Sequence, residues 1–532
     1  MKILNKIKIN TKIQKGVKPL ILIILDGWGI APPNKGNAIT LGKTPIMDKL
    51  TKNYPYTELF AHGKNVGLPS YQDGNSEAGH MNIGAGRIVN QDVIKISKSI
   101  KDKTFFKNAA FLQAINHVKK NRSHLHLIGL LSNGMSAHSD PFHIEALLKL
   151  AREHGIKNTY LHLFTDGRDS PQHAALKLIQ DLEKKLLPNE YIATVMGRYY
   201  GMDRKKNWKV TQQAYDVLTC RKCRWHSSKD AVSAITESYN RNNTDEFLEP
   251  YVILRKNNIL PRIESNDSII FFNLRSDRAR QIAKVFIQGD FEVKNKGSFK
   301  RKENLKNLSF VAMTDFGPDL ESILTAFPSI DLENTLPMQL KDFRQIYMAE
   351  TEKYAHVTYF FNGGYAKPIA GEKRIHVPSP DVKSYDEKPE MSSGELTSNI
   401  IKFIKNKSFD FLTVNYACPD MIGHTGNLKA GVLAVEAVDK YLGKIMTEVQ
   451  KSGLSAIITA DHGNIEEMIK LDTGEVNTEH TMNKVPFIFF NNECKKFKLS
   501  QKGILGDIAP FILTILQKER PKIMNKGIII KK

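Results

Sequence analysis

Five continuous apolar runs punctuate the chain, each stopping at a polar loop: "LILIILDGWG" (20–29), "HLHLIGLLSNG" (124–134), "TYLHLFTDGRD" (159–169), "FDFLTVNYACPD" (409–420) and "LSAIITADHGN" (454–464). None alternates polar with apolar, so each reads as a strand covered on both faces. Between them, "DPFHIEALLKLAREHG" (140–155) and "KAGVLAVEAVDKYLGKIMTEVQKSG" (429–453) carry helical spacing and end at glycine. Strand, loop, helix, strand is the pattern of parallel α/β sheets. The expected fold class is therefore α/β. In open sheets of this kind ligands bind beyond the carboxyl ends of the strands. Asp26, Asp420, Asp461 and His462, each just past an apolar run, are expected to face one crevice. "YQDGNSEAGHMNIGAG" (71–86) fits neither period and reads as an open turn around Ser76. It is a surface loop or the seat of an accessible nucleophile.

A chain of 532 residues has room for two or more domains, each with its own core. The net charge of +21 invites a nucleic-acid or membrane reading. The excess, however, sits in "MKILNKIKINTKIQKGVK" at the start, "KNKGSFKRKENLKN" (294–307) and the tail "QKERPKIMNKGIIIKK". A nucleic-acid module would cluster its cations with stacking aromatics. These segments are read as solvated charge, and no nucleic-acid or membrane partner is expected. No apolar run approaches the roughly 20 residues of a bilayer span. Residues 1–17 lack the features of a secretory signal or a transit peptide and are expected to be a disordered basic extension. Four cysteines make no disulfide framework. Cys220 and Cys223 form a single CxxC, read as free thiols in a reducing cytoplasm.

Two constellations carry chemistry. "CPDMIGHTG" places Asp420 and His424 four residues apart, on one face of a helical turn. "TADHGN" gives Asp461 and His462, "NTEHT" gives His480, and the first strand ends at Asp26. Any one of these is equally a hydrogen-bonded structural pair. Together they suit one or two divalent ions, and paired ions are a standard device for phosphoryl transfer. A cation beside Ser76 would lower its hydroxyl pKa and make it a nucleophile. The second constellation is His138 in "LLSNGMSAH", Arg168 and Asp169 in "TDGRDSP", Arg198 and Arg204 in "MGRYYGMDR", and Arg275, Arg278 and Arg280 in "FNLRSDRAR". Arginine forks match phosphate and carboxylate, so these read as a pocket for a small phosphorylated acid. His138 and Asp169 are placed to handle protons on a substrate hydroxyl. Lys353 in "AETEKYAHVTYFFNGG" bridges toward the metal set.

From about residue 18 to 515 the chain resembles the cofactor-independent phosphoglycerate mutases, a branch of the alkaline phosphatase superfamily. "LDGWG", "GNSEAGHMNIGAGR", "TDGRD", "GRYYGMDR", "NLRSDR", "AETEKYAHVTYFFNGG", "PDMIGHTG" and "ADHGN" occur in that family's order. The resemblance implies an alkaline-phosphatase-like parallel-sheet domain (18–90 and 326–532) with an inserted α/β transferase domain (91–325). It implies two metals, usually Mn²⁺, with Mg²⁺, Co²⁺ or Zn²⁺ as substitutes. One would be held by Asp26, Ser76, Asp461 and His462, the other by Asp420, His424 and His480. The substrate would meet His138, Arg168, Asp169, Arg198, Arg204, Arg275, Arg278 and Lys353, with Ser76, Asp169 and Lys353 catalytic. The implied reaction interconverts 3-phosphoglycerate and 2-phosphoglycerate through a phosphoserine at Ser76, without 2,3-bisphosphoglycerate, in a cytoplasmic monomer. Domain closure would exclude water. A metal-dependent phosphatase or phosphodiesterase, or a phosphopentomutase, would share the metal residues. One motif departs: where the family commonly has "GGVHSH", this chain has "NGMSAH", keeping His138 and placing Ser136 at the other histidine. His138 alone is expected to suffice.

Overall fold

The computed structural model describes residues 18–531 apart from 221–224, 318–319, 321–322, 330, 493 and 495–496. The expected N-terminal extension and Cys223 lie outside the described residues. The chain forms two compact units, one running to Gln91 and resuming at residue 330, the other Asp92–Ser329.

The first unit is built on an eight-stranded sheet. The apolar runs form its centre: Leu20–Leu25 lies between Phe411–Tyr416 and Ser455–Thr459, both parallel to it. All six residues of Leu20–Leu25 are buried, which is why the run shows no alternation. Gln345–Glu350 and Lys373–Val377 extend the parallel array on one side, and antiparallel Val485–Phe490 and then Tyr56–Phe60 extend it on the other. The 25-residue helix Leu428–Ser452 packs along this core through Ala434, Val438, Leu442 and Ile445 and ends at Gly453 in a left-handed turn.

The second unit holds a nine-stranded sheet. Leu125–Leu131, Thr159–Thr165 and Glu190–Gly197 run parallel at its heart, and Ser268–Phe271 pairs parallel with Leu125–Leu131. Separate apolar clusters cover its two faces. The helix expected after Asp140 is Pro141–Glu153, with the Asp140 carboxylate capping the Phe142 N–H at 2.9 Å.

Two expectations are corrected. The segment read as an open turn is the helix Ser76–Ala85, capped by the Asn75 side chain on the Ala78 N–H at 2.9 Å. Eight of its ten residues are buried, so it has no polar face and no helical period to read. Cys220, expected free, is disulfide-bonded, whereas Cys418 and Cys494 are free and buried.

Candidate active site

In the first unit the strand ends converge on Ser76. Asp26 follows Leu20–Leu25, Asp461 and His462 follow Ser455–Thr459, and Asp420 lies in the short helix Cys418–Gly423 after Phe411–Tyr416. Gly27 makes the approach possible: its φ is +71°, and a Cβ there would sit 2.8 Å from Asp420 Cα. Ser76 opens its helix, so its side chain stands where backbone N–H groups favour an anion.

The Ser76 hydroxyl lies 3.2 Å from Asp26 Oδ1 and 2.9 Å from His462 Nε2, and it accepts from Lys353 Nζ at 2.7 Å. The same ammonium reaches Asp26 Oδ1 at 2.7 Å and Asp420 Oδ2 at 2.6 Å. Asp26, Ser76, Lys353, Asp420, Asp461 and His462 are all buried. Burial opposes every charge here, yet the charges hold one another. Lys353 is raised above its usual range because Asp26, Asp420 and Asp461 outweigh its desolvation. His462 is likewise pushed up to about 10 against burial by Asp461, Asp26 and Asp420. Asp420 stays well below the carboxylate range despite burial, chiefly through Lys353 and His424.

His424 and His480 adjoin this group and are less buried. Their Nδ1 atoms donate to Thr478 O at 2.8 Å and Gly74 O at 2.9 Å. Their Nε2 atoms lie 3.1 Å apart and 3.4 and 3.3 Å from Asp420 Oδ1. Against burial, Asp420 raises the pKa of His424, and a cation would take the place of its Nε2 proton. Two imidazole nitrogens beside a carboxylate oxygen are a set that a divalent cation satisfies, and the N/O donor types suit one. Asp26 and Asp461, with Ser76 and His462 between them, offer a second such set. His80 lies close to Asp26 and Asp461 too, but plays a different part. Its Nε2 accepts from Asn415 Nδ2 at 3.1 Å, so Nδ1 carries the proton, toward Ser76 O at 2.9 Å and Asp461 Oδ2 at 3.1 Å. His80 therefore anchors the first turn of the Ser76 helix through Ser76 O, with Asp461 beside it, and offers no lone pair to an ion.

The second unit gathers the other set. Arg198 is buried and its Nη1 pairs with Asp166 and, at 2.9 Å, with Asp169 Oδ2. Ser136 Oγ donates to the same Asp169 oxygen at 2.7 Å. Arg204 Nη1 and Arg275 Nε hold Asp277 at 2.7 and 3.4 Å, and Arg168 faces Glu246 at 3.7 Å. Arg278 is lowered to about 10 by burial and by the nearby Arg198, Arg204 and Arg168. His138 is lowered to about 3 by burial and by Arg275 and Arg198, and its Nδ1 has no hydrogen-bond partner among the described residues. Asp169 is lowered to about 2; burial opposes this and Arg198 overrides it. Crowded guanidinium groups, a neutral imidazole and an ionised carboxylate thus gather in one cluster, a chemistry that suits an anion. The Arg280 guanidinium lies against Gly317.

Asp166, Asn415, Asn464 and Glu466 were not singled out from sequence. Asn464 Nδ2 donates to Asp420 Oδ1 at 2.8 Å, and Asn415 Nδ2 donates to Asp26 Oδ2 at 2.5 Å. Glu466 ties the Gly29 and Asn464 N–H groups to Thr481 and Asn483. Asp166 sits in "TDGRD", Asn464 in "ADHGN" and Asn415 in the apolar run 409–420, but as supports their positions carry no signal of their own, and Glu466 lies outside all of these stretches.

Residues 18–520 match the metalloenzyme superfamily. The chain is 46% identical to the 2,3-bisphosphoglycerate-independent phosphoglycerate mutase of Clostridium novyi (strain NT), over 96% of this chain and 98% of that one. It is 48% identical to phosphoglycerate mutase 1 of the same bisphosphoglycerate-independent kind from Methanosarcina barkeri (strain Fusaro / DSM 804), over 97% and 98%. Among solved structures, the phosphoglycerate mutase of Leishmania mexicana, crystallised at low cobalt concentration, superposes with a TM-score of 0.80. The two share 28% identity, covering 98% of this chain and 99% of that one.

Proposed function

Since the chain belongs to the 2,3-bisphosphoglycerate-independent phosphoglycerate mutases of the metalloenzyme superfamily, a metal-dependent isomerase family acting on a small phosphorylated acid, we propose how its residues divide the work. Ser76 is the nucleophile that carries the phosphoryl group between the two hydroxyls of glycerate. The observation that carries this is the convergence of Lys353 Nζ, His462 Nε2 and Asp26 Oδ1 on Ser76 Oγ at 2.7–3.2 Å.

We assign one cation to Asp26, Ser76, Asp461 and His462 and a second to Asp420, His424 and His480, with Mn²⁺ as the preferred ion. When bound, the ions supply Lewis acidity to the phosphoryl oxygens and to the serine oxygen. The protein does the rest. Lys353 holds positive charge at Ser76 Oγ and favours its ionised form. The Ser76 oxygen gives up its proton and attacks phosphorus, the bond from phosphorus to the substrate oxygen breaks, and that oxygen leaves as an alkoxide that takes up the proton Ser76 released. The helix N-terminus at Ser76 stabilises the phosphoserine. Arg168, Arg198, Arg204, Arg275 and Arg278 retain glycerate by its carboxylate while it reorients. The other hydroxyl then gives its proton to His138 or Asp169, both in accepting forms at neutral pH, and takes the phosphoryl group back. A plain hydrolase of this superfamily has no need to grip the dephosphorylated half. We read the protein as a cytoplasmic monomer.

The test is an enolase-coupled assay on metal-stripped protein with 3-phosphoglycerate and no bisphosphoglycerate. Turnover that needs both added Mn²⁺ and Ser76, and that vanishes in Ser76→Ala, supports the assignment. Phosphate release from the same substrate without 2-phosphoglycerate would replace the mutase reading with a hydrolase.

A further inference from the structure

In the second unit, at the opposite end of the central strands from the arginine pocket, lies a histidine cluster that the mutase reaction does not use. His126 is the second residue of Leu125–Leu131, whose far end leads into the loop carrying Ser136 and His138. Its Nε2 is 3.1 Å from Asp267 Oδ2, and His124 Nδ1 is 3.6 Å from Asp267 Oδ1. We propose that His124 Nδ1, His126 Nε2 and the Asp267 carboxylate bind one further divalent cation of the zinc class.

The spacing fits. Bonds of about 2.0–2.1 Å to a four-coordinate zinc place neighbouring ligand atoms roughly 3.3 Å apart, and the two measured separations bracket that value. Candidate ligand atoms of all three residues lie within 4.8 Å of one another. Asp267 retains capacity for an ion. Its Oδ1 accepts from the His124 N–H at 2.8 Å and its Oδ2 from the Glu264 N–H at 2.7 Å, which leaves each oxygen a lone pair and fixes the carboxylate's orientation. Glu264 adds a second negative field at His126.

His126 is held from behind. Its Nδ1 lies 2.9 Å from His162 Nε2, and His162 Nδ1 lies 2.9 Å from Thr194 Oγ1. With both rings neutral this buried chain can run in two directions, and the second is complete only when a cation lies between His126 Nε2 and Asp267. In one direction His126 Nε2–H donates to Asp267. In the other, His126 Nδ1–H donates to His162, His162 Nδ1–H donates to Thr194, and Nε2 faces Asp267 as a bare lone pair. The second direction is what a metal-bound imidazole needs from its outer partners. The tyrosine ring of Tyr160 stacks on His126 at 5.5 Å and meets the edge of His124 at 5.3 Å, walling one side. The His124 side chain is 34% exposed, which gives an ion a route in and leaves a position for water.

The experiment is metal counting on the full chain. Wild type, His124→Ala and, as a control for an exposed histidine, His173→Ala are equilibrated with Zn²⁺, dialysed and analysed by mass spectrometry for zinc per chain. The expected result is one ion fewer in His124→Ala, none lost in His173→Ala, and equal mutase turnover in all three. Equal zinc in all three proteins, or equal losses in the two variants, would overturn the site. Cobalt(II) loading gives a second readout independent of stability. The difference spectrum of wild type minus His124→Ala must show ligand-field bands of a low-coordinate ion, and a flat difference refutes the proposal even if His124→Ala is less stable.

Discussion

Ser136 stands where the mutase family commonly carries a histidine, and its hydroxyl grips the Asp169 oxygen that also faces Arg198. A hydrogen bond to a charged group contributes roughly 1.5–3 kcal/mol. Ser136→Ala is therefore expected to lower stability by up to about that amount and, by releasing Asp169, to lower kcat/KM about tenfold in the enolase-coupled assay. If turnover is unaffected, Asp169 is placed by Arg198 alone. A second side chain governs stability rather than turnover. Glu350 ends a central strand, is fully buried, and is raised from 4.5 to about 7, chiefly by that burial. Its folded pKa lies above the unfolded one, so between these values the native state binds more protons than the unfolded chain. Stability from this group is greatest below pH 4.5 and falls as pH rises through 7. Glu350→Gln should remove that slope and raise stability at pH 8 by roughly 3 kcal/mol. Urea melts of both proteins at pH 5 and pH 8 check this; parallel pH profiles would show that Glu350 ionises freely when folded.

The helix Ser76–Ala85 shows how an element sets the site. Gly79 lies one turn after Ser76, where a Cβ would come within 2.6 Å of Asp461 O. That atom is backbone and cannot swing aside, so Gly79→Ala must push the helix away from Asp461. Overpacking of this kind costs about 1–3 kcal/mol, and Mn²⁺ affinity should fall with it, as a thermal melt and a metal titration would show. Native stability with native metal affinity would mean that the helix shifts freely. This element was also the least legible in the sequence. Strands such as Leu20–Leu25 announce themselves because burial on both faces forces an unbroken apolar run. Ser76–Ala85 is buried by close approach of backbones, which selects Gly, Ala, Ser and Asn, the composition of a turn. The ligand-type residues were visible because they follow strands. Supports such as His80, Asn415 and Glu466 were not, because a hydrogen bond across hundreds of residues leaves no local pattern.

The division into two units makes metal removal a selective perturbation. Asp26, Asp420 and Asp461 are buried in the first unit with Lys353 and His462. Bound cations stabilise such a cluster by mass action; in protein loaded with Mn²⁺ only, with no zinc at His124, His126 and Asp267, chelation should withdraw that stabilisation from the first unit alone. Unfolding then ceases to be a single transition, as multi-domain proteins permit. The tryptophans report which unit has melted: Trp28 is buried two residues after Asp26, while Trp208 and Trp225 belong to the second unit. Added EDTA should lower the midpoint seen in wild-type fluorescence, and Mn²⁺ should restore it in a concentration-dependent way. In Trp28→Phe, whose emission comes from the second unit, the midpoint should hardly move. A second-unit signal that follows EDTA as closely as the first would mean that the two units unfold together, and that the stabilisation from the metal cluster is shared by the whole chain.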